Sequence, residues 1–310
     1  MIDPDFLNSE SLSSNSESLM KISIIANPIA GGGRAYKSLR RYVDRWPHRD
    51  WEVEILTTRA RNDAGLLAQQ LLERPPDLVG VCGGDGTVNE VATHVPNPPF
   101  PIAVLPAGTA NVLARELGLP LNATRSLEIA LRRVTRRIDL GVLGSTAGRR
   151  FLFVAGIGFD AYVVSQVRAG LKSRLGMAAY AIAILECLRR YSFPEFQVDI
   201  GGRVFTATSC LACNAKRYGG GLLFCPSADM SDGLLDVLLL EKQRRLDLAR
   251  FLFLAWCGKA EKREWIHRIR TRSFKVEGPG NVLVQVDGEL AGNIPTAIAL
   301  ENLSFPLAIS

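Results

Sequence analysis

The sequence predicts an α/β chain: a doubly wound parallel sheet first, then an antiparallel β sandwich. Three observations carry this. From residue 20 to 137, apolar strands alternate with helix-compatible stretches, the βαβα order of a parallel sheet covered on both faces. After Ile138 most strands follow one another through Gly-rich or polar turns, as in a sandwich. Three early strands also end in small-residue polar turns, which on one parallel sheet lie together along its carboxyl edge.

The elements follow in order. Residues 21–26 form the first strand, and 34–46, after a glycine turn, a helix. Residues 51–56 alternate as a strand that Thr57 and Thr58 end. Residues 63–74 form a helix that Pro75 and Pro76 break. Residues 78–82 are an apolar run of the kind that ends a buried parallel strand, with a helix over 88–93. After a strand from Ile102, residues 111–117 are helical until Gly118 and Pro120 stop them. Residues 126–134 are a further helix, with Thr124 or Ser126 as its cap. Residues 136–141 start a strand. Beyond it, 151–155, 196–200, 204–214, 234–240, 272–277 and 282–287 read as strands. Helices over 160–191 and 246–261 interrupt them. The domains are therefore 20–137 and 138–295.

The most informative stretch is VGVCGGDGTVNEV, residues 79–91. Gly83, Gly84 and Gly86 let the backbone turn sharply and let a phosphate approach N–H groups without meeting a Cβ. The following helix aims its positive end at the same place. Asp85 puts a carboxylate there, which repels a phosphate unless it meets a cation, a proton or a ribose hydroxyl. A plain strand-to-helix turn is the bland alternative for an isolated GGDG. Two other turns reduce its weight: ISIIANPIAGGG (22–33) and IAVLPAGTAN (102–111).

These three motifs, in this order and at these spacings, resemble the diacylglycerol kinase catalytic-domain family. That family includes bacterial lipid kinases and the sphingosine and ceramide kinases. The resemblance covers residue 20 to near the C-terminus. It implies an NAD kinase/diacylglycerol kinase-like nucleotide domain that a final strand near 296–310 completes. It also implies ATP over Gly84, Asp85, Gly86, Thr87, Val88, Asn89 and Glu90. Asn27, Pro28, Ile29, Ala30, Gly31 and Thr109 close the same pocket. Thr58 joins it through TRARNDA, which resembles the family's Thr-x-x-x-x-Asp-Ala; a turn hydroxyl is the alternative. No G-x-x-x-x-G-K-S/T occurs, so phosphate charge must be met by the backbone, Mg²⁺ and an arginine.

Two further motifs follow from the same resemblance. DMSDGLLD (229–236) looks like the family's metal element, with the side chain of Asp232 and the backbone carbonyls of Asp229 and Leu234 as donors. Oxygen donors suit Mg²⁺, or Ca²⁺ at a structural site; a β-turn is the alternative. Asp287-Gly288-Glu289 sits at a strand end, where the family places its base, hence Glu289. A hairpin turn is the alternative. Asp287 helps hold the metal–nucleotide network, and Asp85 is the second candidate for the base. Many relatives read GTxND where this chain has Val112, so one carboxylate of that network is missing; Asp139 remains to serve in it. His48, His94 and His267 sit in no motif.

Composition bounds the partners. At 310 residues, 47% apolar and mean hydropathy +0.10, the chain holds two domains and a substantial core. No apolar run approaches the 18 residues that span a bilayer. Residues 1–19 hold Asp3, Asp5, Glu10, Glu17 and six serines, and read as a disordered leader rather than a signal peptide. MKISIIANP from Met20 looks like a natural start. The net charge of +6 suits anionic lipid or nucleotide, and no aromatic-studded platform suggests nucleic acid. Six scattered cysteines fit free thiols in a reducing cytoplasm. Cys210 and Cys213, three apart on a strand, point to opposite faces. Residues 241–275 carry eleven basic residues around the apolar FLFLAWC, a pattern that suits a bilayer interface or an ordinary solvated helix face.

The expected function is an ATP-dependent lipid kinase, cytoplasmic and peripheral on the inner face of the membrane. Its acceptor is diacylglycerol or a related lipid alcohol, and a homodimer is compatible with the sequence. The alternatives are a kinase of a soluble acceptor, similar to NAD kinase, and a non-catalytic lipid- or nucleotide-binding protein.

Overall fold

A computed structural model of the chain describes residues 19–144, 149–166, 184, 186–219, 222–241, 245–259 and 266–309. The leader up to residue 18 and the middle of the expected 160–191 helix lie outside these residues.

The first part alternates strands and helices: β1 (Met20–Ala26), α1 (Arg34–Val43), β2 (Trp51–Thr57), α2 (Asp63–Gln70), β3 (Leu78–Gly83), α3 (Asp85–His94), β4 (Ile102–Pro106), α4 (Val112–Glu116) and α5 (Ala123–Ala130). The four strands are parallel, in the order β2-β1-β3-β4. Every residue of β3 and β4 is buried, as continuous apolar strands between two helical layers must be. Alternation assigns the side chains. Ile24, Leu78 and Cys82 meet Leu39 of α1 and Leu127 of α5. Ile25, Val79 and Val81 meet Ala64 of α2, Val88 of α3 and Leu113 of α4. Each such Ile, Leu or Val contributes roughly 1.5–3 kcal/mol.

The second part is strand-rich: β5 (Thr135–Leu143), β6 (Arg149–Phe151), β7 (Val154–Gly158), α6 (Phe159–Gln166), β8 (Phe196–Ile200), β9 (Arg203–Ala207), β10 (Ser209–Cys213), β11 (Arg217–Tyr218), β12 (Leu222–Leu223), β13 (Leu235–Leu240), α7 (Arg245–Trp256), β14 (Ile266–Thr271), β15 (Ser273–Glu277), β16 (Leu283–Val286), β17 (Glu289–Asn293) and β18 (Thr296–Ala308). β14-β13-β10-β7-β16-β17 form an antiparallel sheet of their own. β18, β15, β8 and β9 instead continue the first sheet past β4. Between the two sheets lies a core that includes Phe151, Ile157, Phe196, Cys210, Val237, Phe274, Val284 and Ile298. The two sheets thus form the expected sandwich, and one of them is shared with the parallel part.

β18 makes the junction. Its early residues pair antiparallel with β15 and β5, while Leu307 and Ala308 pair parallel with Ile102 and Ala103 of β4.

Several expected elements shift. The stretch 204–214 is two strands, because Thr208 turns the chain from one sheet to the other and donates to Leu240 O at 3.0 Å. β14, unexpected from the sequence, adjoins β15 in the chain but pairs in the other sheet. α3 begins at Asp85 rather than 88, so Gly86 and Thr87 belong to the helix. α5 starts at Ala123, and its cap is Asn122, which accepts from Arg125 N at 3.1 Å, rather than Thr124 or Ser126. α6 ends at Gln166 among the described residues, and 186–190 are helical again. Cys210 and Cys213 do sit in different cores. No helix among the described residues is long and apolar enough to cross a membrane.

Candidate active site

The three glycine-bearing turns meet at the carboxyl edge of the parallel strands. Gly31, Gly32 and Gly33 all have positive φ, which only glycine adopts freely. A Cβ on Gly31 would stand 2.2 Å from Ala107 O, and one on Gly108 2.7 Å from Gly84 Cα. The turns therefore touch backbone to backbone, and glycine is what permits it. Asn27 N donates to Cys82 O at 2.8 Å and Ala107 N to Gly83 O at 2.9 Å, extending the ladder past the strand ends.

Asp85 ties two of the turns together. It opens α3, and its Oδ1 accepts from Leu113 N at the start of α4, at 3.1 Å. Burial raises its pKa, while the N–H groups of Leu113 and Val112 pull it back.

The second part brings Asp287 to the same place, on the turn between β16 and β17 with φ +49. Its carboxylate accepts from Leu152 N at 2.7 Å, Phe153 N at 2.9 Å and Val154 N at 3.0 Å. Asn89 of α3 reaches across and donates to its Oδ2 at 2.6 Å. Burial pushes the Asp287 pKa up to about 6; the three N–H groups oppose the rise and the charge of Asp85 adds to it. Glu289 stands two residues on, exposed, with Oε2 paired to Arg61 at 2.5 Å and also to Arg149. Together these groups line a polar cavity of about 360 Å³ with Gly86, Glu90 and Phe153.

Of the expected nucleotide residues, Asp85, Gly86, Asn89 and Glu90 line this cavity. Asn27, Pro28, Ile29, Ala30, Gly31 and Thr109 lie on the neighbouring turns, with Ile29 and Thr109 exposed. Thr58 N donates to Ala26 O at 2.9 Å, beside them. Thr87 and Val88 turn inward and are buried.

The expected metal donors lie elsewhere. None of Asp229, Asp232, Leu234 and Asp139 lines the polar cavity. Asp229 is paired to Arg136 at 2.6 Å, and Asp232 to Arg270. Asp232 Oδ1 also accepts from Leu234 N at 3.0 Å. Asp139, buried, accepts from Gly233 N at 2.8 Å and so holds this same turn rather than the Asp85–Asp287 pair. No three His, Cys, Asp or Glu among the described residues form a metal cluster. The arginine pairs engage the side chains of Asp229 and Asp232; the backbone carbonyls of Asp229 and Leu234, the other two expected donors, are not part of them. Asp85 and Asp287 line one cavity and the charge of the first raises the pKa of the second, so a cation there would offset both; Mg²⁺ takes one or two carboxylates plus phosphate oxygens.

A second, apolar cavity of about 420 Å³ opens between α6, β10, β12 and α7, walled by Phe159, Leu211, Phe224, Leu248, Phe251 and Trp256. Asp160 is its acidic wall residue. Burial pushes the Asp160 carboxyl up to about 7, although Gln285 Nε2 donates to it at 2.6 Å. The other end of Gln285 accepts from Gly288 N at 2.7 Å. One side chain thus joins the apolar cavity to the turn that bears Asp287 and Glu289.

Arg61, Arg149, Asp160 and Gln285 were not singled out from sequence. Arg61 lies inside TRARNDA and could have been found there; the others have no local signal, because burial and partners define them.

Comparison with known proteins places this arrangement. Residues 21–143 match the diacylglycerol kinase catalytic domain, and residues 154–309 match the YegS C-terminal NAD kinase beta sandwich-like domain. A diacylglycerol kinase of Mycobacterium tuberculosis is 32% identical over 285 residues, 90% of this chain and 92% of that protein. One from Bacillus subtilis (strain 168) is 28% identical over 278 residues, 88% of this chain and 90% of that protein. In fold, the crystal structure of a diacylglycerol kinase from Bacillus anthracis str. Sterne superposes with TM-score 0.70 at 21% identity, covering 94% of this chain and 98% of that one. An NAD kinase from Archaeoglobus fulgidus in complex with ATP superposes with TM-score 0.51 at 13% identity, over 93% and 92%. This chain belongs to the diacylglycerol kinase family and is a kinase.

Proposed function

We propose that the chain transfers the γ-phosphoryl group of ATP to a hydroxyl of a membrane lipid, diacylglycerol or a related lipid alcohol. The observation that carries this is the link between the cavities: Gln285 bonds Asp160 in the wall of the apolar cavity and Gly288 N in the turn that brings Asp287 and Glu289 to the polar one. An acyl chain in the first would present its headgroup hydroxyl near the second. Residues 20–137 with about 296–310 hold the nucleotide, and 138–295 hold the lipid.

The chemistry needs positioning, charge compensation and a proton acceptor. The glycine turns leave room for phosphates at the sheet edge, where the N-terminus of α3 favours negative charge. Asp85 and Asp287 would hold Mg²⁺, which would offset the charge of the phosphates. Asn89 fixes Asp287 against α3. Glu289 takes the proton of the lipid hydroxyl as that oxygen bonds to the γ-phosphorus; the bond from this phosphorus to the bridging oxygen breaks and ADP leaves. Asp85 is the second candidate for the base. The phosphates keep to the α3 end of the cavity and the acceptor enters from the sandwich, which favours Glu289.

The membrane supplies such a substrate. α7 leaves Leu246, Phe253 and Trp256 exposed at 71%, 60% and 75%. Arg245, Arg250 and Lys259 accompany them, while Lys242, Arg244, Lys262 and Arg263 lie outside the described residues. An apolar, cation-bearing helix of this kind suits the inner leaflet, and the chain works there as a peripheral protein.

The test is transfer of label from [γ-³²P]ATP to diacylglycerol, other lipid alcohols and NAD. Labelled lipid is the expected product. Labelled NAD with unlabelled lipid would establish the soluble-acceptor reading instead. Bound ATP with no transfer to any acceptor would make the protein a binding module.

A further inference from the structure

We propose that Arg61 and Arg149 are the cationic ligands of the phosphoryl group in transfer, and that Glu289 holds both until a nucleotide arrives. The inference rests on the nucleotide reading above.

Four carboxylates line the polar cavity: Asp85, Glu90, Asp287 and Glu289. Its permanent cations among the described residues are Arg61 and Arg149. A triphosphate brought here meets an excess of negative charge, and the chain has no P-loop lysine. The two guanidiniums come from different parts of the fold. Arg61 stands on the turn before α2, and Arg149 starts β6. Both converge on one atom, Oε2 of Glu289. Arg149 is also tethered through Nη1 to Leu290 O at 2.7 Å, so it remains at the cavity when its other nitrogen changes partner.

This arrangement is made for exchange. Two like charges share one carboxylate oxygen, and the pair is open to water: the Arg61 side chain is 69% exposed and that of Glu289 47%. Exposed ion pairs contribute little and re-form readily. A terminal phosphate offers three oxygens and more charge, and guanidinium matches its geometry. Both arginines hold Glu289 by Oε2, one of its two carboxylate oxygens. Transfer of the arginines to the γ-phosphate would neutralise the group in motion and release that oxygen in one step. A nucleotide lacking the γ-phosphate would leave the ion pairs in place.

Calorimetric titration with Mg²⁺ and either the β,γ-imido analogue of ATP or ADP tests this without turnover. In wild type the triphosphate analogue should bind more tightly than ADP. Arg61→Met with Arg149→Met should weaken the analogue roughly 10–100-fold and ADP less than about twofold, the loss of two charge-assisted contacts. Glu289→Gln should act oppositely and tighten the analogue about 2–10-fold, because it releases the arginines. Arg61→Met alone, at an exposed side chain, serves if the double variant does not fold, and should show the smaller loss with the same sign. Equal losses for both nucleotides, or weaker analogue binding in Glu289→Gln, would overturn the exchange while leaving the nucleotide site standing. Failure of wild type to bind either nucleotide would remove the nucleotide reading, and this inference with it.

Discussion

Asn89 on α3 and Asp287 on the β16–β17 turn are joined by a 2.6 Å hydrogen bond, 198 residues apart in the chain. That bond links the glycine-rich strand end of the parallel sheet to the DGE turn of the sandwich. Thr93 Oγ1 donates to Asn89 Oδ1 at 3.0 Å and fixes which way the amide points.

Asn89→Ala should therefore loosen the turn without unfolding the protein. A bond to a carboxylate contributes roughly 1.5–3 kcal/mol, and Asp287 keeps its three backbone donors. A modest fall in Tm and a fall in kcat of about tenfold are expected, from calorimetry and initial rates. Unchanged kcat would show that the backbone donors alone position Asp287.

The two candidate bases separate by substitution. Glu289→Gln should lower kcat by roughly 10²–10⁴, the usual range for a lost general base, with Tm nearly unchanged at this exposed position. Asp85→Asn keeps an acceptor for Leu113 N and should keep the fold, yet abolish activity through lost Mg²⁺ binding. If Glu289→Gln turns over normally and Asp85→Asn still binds Mg²⁺·ATP, Asp85 is the base.

Asp160 sets a pH dependence of stability. Its carboxyl ionises at 3.8 in the ordinary case and at about 7 in the fold. Below the lower value both states are protonated and the fold loses nothing. As pH rises from there to about 7, the unfolded chain gains ionisation that the fold resists, and stability falls. Asp160→Asn should remove that fall. Its Tm should exceed wild type at pH 8, by an amount on the order of a few kcal/mol of stability, and the gap should narrow toward pH 4. A gap independent of pH would show that Asp160 does not titrate in this window.

Contact with lipid should run through α7. Phe253→Ser with Trp256→Ser removes two exposed aromatic groups and should reduce sedimentation with anionic vesicles several-fold. The remaining binding should weaken with salt, since attraction is screened within about 8–10 Å at physiological ionic strength. Full vesicle binding by the double variant would place the contact elsewhere.

The sequence by itself determined the parallel half and its edge. Residues 78–82 read as the end of a buried parallel strand, and Gly83, Gly84 and Gly86 as a sharp turn open to phosphate, because these constraints act within a few residues. The DGE turn was legible for the same reason. Tertiary structure decided the rest. Nothing local tells that Thr208 changes sheets, that β18 serves both halves, or that Asp139 holds the Asp229–Gly233 turn instead of facing Asp85. Sheet membership is fixed by partners far along the chain. The arginines on Glu289 and the Gln285 bridge are likewise chance-like in sequence: an arginine or glutamine acquires its role only from the charge and burial that folding places around it.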